Sequence, residues 1–296
     1  MLPKLIVLAG TNASGKSSLG VALAKHYNGE IVSADSRQVF EGLDLGSGKI
    51  TQEEMQGVPH HLLDVAKAGD FFSMADFQTL AYEAIDDIIA RGKVPFLVGG
   101  TGLYVNCVAD GYTFSHIKPD LAYRQELEQL TTPELYAMLI AHDPSTTVEA
   151  GARNRVMRML EKIHAGDTLT PSQTPRYQVL HLGITWERSE LAKRIDQRLA
   201  MRMEQGMLAE VQTLLDEGVS PEFLYKLGLE YRLLTQYLQG EWPSEQAMLD
   251  RLAISIKQLG KRQMTWFKQR DDMHWLNMQQ NPYDQACQLI DPFLQA

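Results

Sequence analysis

The chain reads as an α/β protein: a parallel sheet flanked by helices and interrupted by a small all-helical insertion. Three observations predict this. Short apolar runs alternate with amphipathic helical segments over the first hundred residues, joined by short links. The run Leu5–Ala9 is apolar throughout, as expected of a strand buried on both faces. Strand signals then stop from about Tyr112 to Thr174 and resume at Val179–Ile184.

Leu5–Ala9 forms the first strand. Ser17–Tyr27 follows as a helix, with Leu19, Leu23 and Tyr27 at helical spacing. Glu30–Ser33 is a second short strand. Ser73–Ala90 is helical, capped by Ser73 with Asp76 three residues on. Its apolar face runs through Phe77, Leu80, Ala84, Ile85 and Ile88, and Arg91-Gly92-Lys93 stops it. Val94–Val98 is the third strand, and Gly99-Gly100-Thr101-Gly102 follows it. Pro119, Pro133, Pro144 and Pro171 punctuate the helical excursion, and Thr170–Pro175 reads as a linker. Beyond Val179–Ile184, the stretch Ser189–Phe267 is mostly helical. The expected division is a core of residues 1–111 and 176–296 and a helical insertion of residues 112–175.

A length of 296 residues suits one large domain, or one domain carrying an insertion. Apolar residues at 44% and charged residues at 22% exclude wholesale disorder. The 28 lysines and arginines against 37 acids give −9, so any nucleic-acid contact must be local. No apolar run is long enough to cross a membrane, and Leu5–Ala9 is too short for a signal-peptide core. Cys107 and Cys287 make neither a disulfide framework nor a zinc pattern. A cytoplasmic monomer without membrane attachment is expected.

Gly10-Thr11-Asn12-Ala13-Ser14-Gly15-Lys16-Ser17 fits G-x-x-x-x-G-K-[ST], between a buried strand and a helix. That context predicts a P-loop NTPase-like core. Backbone N–H groups of such a turn converge on phosphate oxygens, and the helix N-terminus adds partial positive charge. Lys16 supplies a full charge and Ser17 a hydroxyl for Mg²⁺. The loop serves a nucleoside triphosphate, such as ATP, and a substrate with a diphosphate leaving group equally well.

Ser33-Ala-Asp35-Ser36-Arg37-Gln38 follows the second strand, where strand ends line the ligand crevice. Asp35 there either orients Mg²⁺ or takes a proton from a nucleophile, or it only closes an Asx-type turn. Thr101 places a hydroxyl at the end of the third strand, or belongs to a plain turn. His60-His61 with Asp64 lacks a third ligand at metal-motif spacing. Arg155, Arg158 and Lys162 share one helical face, and Lys257–Arg270 carries five cations and no acid. Both stretches are either solvated helix faces or local basic patches.

Several of these stretches together resemble the tRNA dimethylallyltransferase (tRNA isopentenyltransferase) family. The motifs are Gly10–Ser17, Asp35-Ser-Arg-Gln-Val-Phe-Glu-Gly-Leu-Asp-Leu-Gly46, Val58-Pro-His-His-Leu-Leu-Asp64 and Ser73-Met-Ala-Asp-Phe77. They continue with Arg91-Gly-Lys-Val-Pro-Phe-Leu-Val-Gly-Gly-Thr-Gly-Leu-Tyr104, Arg194-Ile-Asp-Gln-Arg198 and Lys261-Arg-Gln-Met-Thr-Trp-Phe267. They cover nearly the whole chain, in order. The phosphate loop alone is unspecific; Asp35-Ser-Arg-Gln combined with Val-Gly-Gly-Thr-Gly-Leu-Tyr and Lys-Arg-Gln-x-Thr-Trp-Phe is highly specific.

The resemblance implies transfer of a dimethylallyl group from dimethylallyl diphosphate to the exocyclic amine of the adenosine 3′-adjacent to the anticodon, releasing diphosphate. It implies that Gly10–Ser17 and Mg²⁺ hold the donor diphosphate, and that Arg198 meets it as it leaves. Asp35 would take the amine proton, and Thr101 would place the adenosine or the donor. Ser36, Arg37 and Gln38 would contact tRNA beside the target base. The insertion would close over the anticodon stem-loop through Arg124, Asn154, Arg155, Val156, Met157 and Arg158. Lys261, Arg262 and Gln263 would contact it from the late helical region. The target base must leave its stack, and a narrow tunnel must keep water from the allylic carbon.

The chain departs from the family twice. An Ile-Gly-Tyr stretch is replaced by Leu227-Gly228-Leu229, with Tyr231 two positions late. A His-Pro-Asn-Asp stretch is replaced by Glu149-Ala-Gly-Ala152. Rival readings are a P-loop small-molecule or nucleoside kinase, a prenyltransferase acting on free AMP, ADP or ATP, and a non-catalytic RNA-binding or GTPase-like switch module.

Overall fold

A computed structural model describes residues 2–114, 120–167 and 172–296, apart from the Leu121 side chain. Pro119, Pro171 and the first residues of the linker Thr170–Pro175 lie outside the described residues. Among the described residues six strands form one sheet: β1 Lys4–Ala9, β2 Gly29–Ala34, β3 His60–His61, β4 Val94–Gly99, β5 Gln178–Thr185 and β6 Met273–Asn277. Their order is β3-β2-β4-β1-β5-β6, and every pairing is parallel. The early helices are α1 Lys16–His26, α2 Gln52–Met55, α3 Met74–Ala90 and α4 Gly102–Ala109. Next come α5 Leu121–Glu128, α6 Thr132–His142 and α7 Arg153–His164. The chain ends with α8 Arg188–Glu204, α9 Met207–Asp216, α10 Pro221–Leu227, α11 Leu229–Leu238, α12 Glu245–Phe267 and α13 Pro282–Gln295.

The all-apolar runs are central strands because helices cover both faces of the sheet. Ile6, Leu8, Ile31, Phe96 and Val98 form one core with Leu19 and Leu23 of α1 and Ile290 of α13. Leu5, Val7, Val32 and Leu97 alternate with these, so they point to the opposite face. All four are fully buried, and α3 and α4 contact the same strands. The Ser73–Asp76 capping box starts α3 as the spacing predicts.

Two strands were not foreseen. β3 is two residues long, and β6 is an edge strand whose sequence Met-His-Trp-Leu-Asn gives no apolar run. Neither histidine of β3 belongs to a metal cluster. His61 pairs with the buried Glu30 carboxylate at 2.7 Å, and the described residues contain no group of three metal-ligating side chains. No helix among the described residues is long and apolar enough to cross a membrane.

The chain divides into one unit of Met1–Gly111 and Pro175–Ala296 and another of Tyr112–Thr174. In the second unit, α5, α6 and α7 pack around Leu127, Leu135, Leu139, Val156, Met157 and Leu160. Val156 and Met157, expected at an RNA interface, are therefore core residues with 0% and 3% exposure. Their apolar side chains fill the space among the three helices.

Candidate active site

The phosphate loop lies between β1 and α1, at the carboxyl end of the sheet. It is fastened from several sides. Trp186, just past β5, donates its indole N–H to the Ser14 carbonyl at 2.8 Å. Arg194 of α8 donates Nε–H to the Ala13 carbonyl at 3.1 Å, with its guanidinium over the Trp186 ring. Gln263 of α12 accepts the Asn12 N–H at 3.1 Å. The loop is thus held in shape by the protein's own bonds.

Lys16, Ser17, Asp35, Gln38, Arg198 and Arg202 line one narrow cavity of about 40 Å³, with apolar walls from Ile195, Leu199, Met207 and Ile256. A second cavity of about 290 Å³ shares Lys16, Ser17 and Arg198 and includes Arg194. The motif residues from distant parts of the chain therefore converge on one place. Burial is the main force lowering the Lys16 pKa, to about 8; Asp35 opposes it, while Arg198 and Arg202 add to it. Burial also takes Arg198 down to about 10, helped by Arg202. The site is a set of partly desolvated cations, which a polyanion would relieve.

Asp35 is buried at 8% exposure. Its carboxylate accepts the Arg37 backbone N–H at 3.0 Å, so the Asx-type turn is real. The same side chain also lines the cavity with Lys16, so the turn and the chemistry are one arrangement. The Thr101 hydroxyl accepts the Ser36 N–H at 3.1 Å. Arg37 donates Nε–H to the Leu227 carbonyl at 3.1 Å. Gln38 donates to the Gly48 carbonyl at 3.2 Å, and Arg198 donates to the same oxygen at 3.3 Å.

Gly48 sits at φ +65°, and a Cβ there would lie 1.5 Å from an Arg202 nitrogen. Only glycine lets this loop reach the cation pair. Both departures now have a physical setting. Gly228 has extended backbone, and the Arg37 guanidinium packs so closely that a Cβ would fall 2.1 Å from its Nε. Tyr231 is fully buried; its hydroxyl accepts the Ser47 N–H and donates to Glu210. Glu210 in turn accepts the N–H groups of Asp44, Leu45 and Gly46. After Glu149–Ala152, α7 begins with no side-chain cap.

Sequence reasoning missed Arg202 and Glu230. Arg202 continues the Arg194–Arg198 spacing by one more turn, a signal that could have revealed it. Glu230 is 4% exposed and lines the cavity, opposing the burial that lowers the Arg202 pKa. No local pattern distinguishes that glutamate.

In the helical unit, Asn154 and Arg155 are exposed. Arg158 pairs with the buried Glu161 carboxylate at 2.9 Å, and Arg124 pairs with its other oxygen at 3.2 Å. Arg153 instead donates to the carbonyls of Leu130 and Glu128. On α12, Lys261 and Arg262 are exposed. Gln263, expected among the RNA contacts with them, is bonded to the phosphate loop.

The IPP transferase family model matches residues 38–270. A tRNA dimethylallyltransferase 2 of Shewanella sediminis is 43% identical, with 97% of each chain covered. A crystal structure of the full-length tRNA isopentenylpyrophosphate transferase of Bacillus halodurans superposes with TM-score 0.74 at 37% identity, covering 98% of this chain and 95% of that one. A corresponding structure from Staphylococcus epidermidis gives TM-score 0.73 at 32% identity, with 99% of each chain covered. Similarity over this length, together with the convergence of the motif residues on one cavity, shows that the chain belongs to the IPP transferase family.

Proposed function

We propose that the chain is a tRNA dimethylallyltransferase, moving the dimethylallyl group of dimethylallyl diphosphate to the exocyclic amine of the adenosine 3′-adjacent to the anticodon. The observation that carries this is the shared cavity: a buried carboxylate, Asp35, lies with Lys16, Arg198 and Arg202 against an apolar wall. The carboxylate suits an amine nucleophile, the cations a diphosphate, and the wall a short hydrocarbon.

The bond from the amine nitrogen to the allylic carbon forms as the bond from that carbon to the diphosphate oxygen breaks. Asp35 receives the amine proton, which makes a weakly basic aromatic amine a competent nucleophile. Lys16, Arg198, Arg202 and the loop N–H groups meet the charge that grows on the diphosphate. Ile195, Leu199, Met207 and Ile256 keep water from the allylic carbon.

Ser17 lines both cavities and supplies one hydroxyl. A Mg²⁺ ion would be held there by the Ser17 hydroxyl together with the donor's phosphate oxygens. When bound, it neutralises charge on the leaving diphosphate. In the RNA-facing role we place the exposed Asn154, Arg155, Lys261 and Arg262.

The test is incubation with radiolabelled dimethylallyl diphosphate and Mg²⁺, with unmodified tRNA, AMP or ATP in parallel tubes, then nucleoside mass analysis. Label on adenosine from tRNA alone is expected. Label only on a free nucleotide would assign the chain to the free-nucleotide prenyltransferases. Turnover of ATP without an allylic donor would make it a kinase.

A further inference from the structure

Both polar atoms of the Gln263 amide are engaged inside the protein. Its Oε1 accepts the Asn12 backbone N–H at 3.1 Å. Its amide nitrogen donates to the Gly100 carbonyl at 2.9 Å and to Asn12 Oδ1 at 3.4 Å. A primary amide has two N–H donors, and both are spent inside the protein. The neighbouring Lys261 and Arg262 are exposed, while Gln263 is half-buried.

The two loops it joins carry the two halves of the chemistry. Asn12 belongs to the loop that holds Lys16. Gly100 precedes Thr101, whose hydroxyl accepts the Ser36 N–H beside Asp35. One amide therefore bridges the donor side and the proton-accepting side of the site. The donor loop has further fastenings at Ser14 and Ala13, through Trp186 and Arg194. Each half-site is thus held without Gln263, and the Gly10 N–H already donates to the Gly99 carbonyl at 3.3 Å where β1 and β4 end; the Gln263 amide adds a second tie, further out, between Asn12 and Gly100.

Resting on the transferase reading above, we propose that Gln263 is a positioning residue that sets the distance between the diphosphate loop and the Asp35 loop, and not a tRNA contact. A displacement of about 1 Å between reacting groups costs on the order of a hundredfold in rate. Removing the bridge therefore lowers the rate of the chemical step while leaving each substrate's binding in place.

The experiment compares wild type, Gln263→Ala, Gln263→Met and Lys261→Ala. It measures single-turnover transfer, separate dissociation constants for donor and tRNA, thermal melting, and amide exchange in the Gly10–Ser17 loop. Gln263→Met keeps the volume and loses the hydrogen bonds. Both Gln263 variants are expected to lose about ten- to a hundredfold in the single-turnover rate with both dissociation constants unchanged. The Asn12 amide is expected to exchange faster. Lys261→Ala is expected to weaken tRNA binding without faster exchange at the Asn12 amide. A weakened tRNA affinity with full rate in Gln263→Ala would overturn the proposal and put this amide on the RNA. Full rate in Gln263→Met would overturn it in favour of packing. Absence of transfer by the wild type would remove the transferase reading, and unchanged Asn12 exchange in Gln263→Met would separately remove the bridge.

Discussion

The Thr101 hydroxyl oxygen accepts the Ser36 backbone N–H at 3.1 Å, so the loop after β4 holds the residue that follows Asp35. Thr101 sits at the N-terminus of α4 without capping it. Its hydroxyl is spent on the neighbouring strand end instead. Thr101→Val keeps the shape and loses the acceptor. Transfer is expected to fall about tenfold, the worth of one interior hydrogen bond. Donor affinity should stay unchanged in calorimetry, because among the described residues the Thr101 hydroxyl bonds Ser36 and not the phosphate loop. A matching loss of donor affinity would count against this division.

Asp35→Ala removes the carboxylate that follows β2 and lines the cavity with Lys16. Loss of a positioned general base costs about a hundred- to ten-thousandfold. The expected outcome is abolished transfer in a protein that still binds donor. Single-turnover rates and donor calorimetry on the same preparation check this. Near-normal turnover would take Asp35 out of the proton-accepting role.

The lowered Lys16 pKa, to about 8, predicts a pH dependence with a definite sign. Burial penalises the charged ammonium in the free protein, while a diphosphate favours it. Above about pH 8 the free protein has lost this proton, so donor binding must take one up. Donor affinity is expected to be flat below that pH and to fall by at most about tenfold per unit above it. Calorimetry in buffers of different ionisation enthalpy reads the proton uptake directly. Lys16→Met should abolish the uptake. Proton release in place of uptake would reverse the assignment.

Much of this architecture is legible in the sequence because its central strands are buried on both faces. β1, β4 and β5 read as apolar runs for that reason. β6 does not, since an edge strand of mixed exposure carries no such run. The site divides the same way. Lys16 and Asp35 lie in short motifs at strand ends, where fold rules place ligands. The role of Gln263 is illegible because Asn12, its partner, lies 251 positions away. Val156 and Met157 were misplaced because a stretch matched as a block hides which positions face inward. Helical spacing separates them from the exposed Asn154 and Arg155.

The arginines of α7 divide into two kinds, and their variants should differ accordingly. Arg155 is exposed, so Arg155→Ala should leave melting unchanged. If Arg155 meets a phosphate, tRNA affinity should weaken and the slope of log K against log salt should fall by about one. Arg158 shares the Glu161 carboxylate with Arg124, and that carboxylate is 2% exposed. Arg158→Ala leaves a buried charge with one fewer partner, which costs on the order of 1–3 kcal/mol. It should lower the melting temperature as well as the tRNA affinity. Glu161→Gln removes the stranded charge, so the double variant should melt above Arg158→Ala alone. Salt-dependent filter binding and melting curves on the same variants separate the two effects. A stable Arg158→Ala protein with an unchanged salt slope would remove Arg158 from both roles.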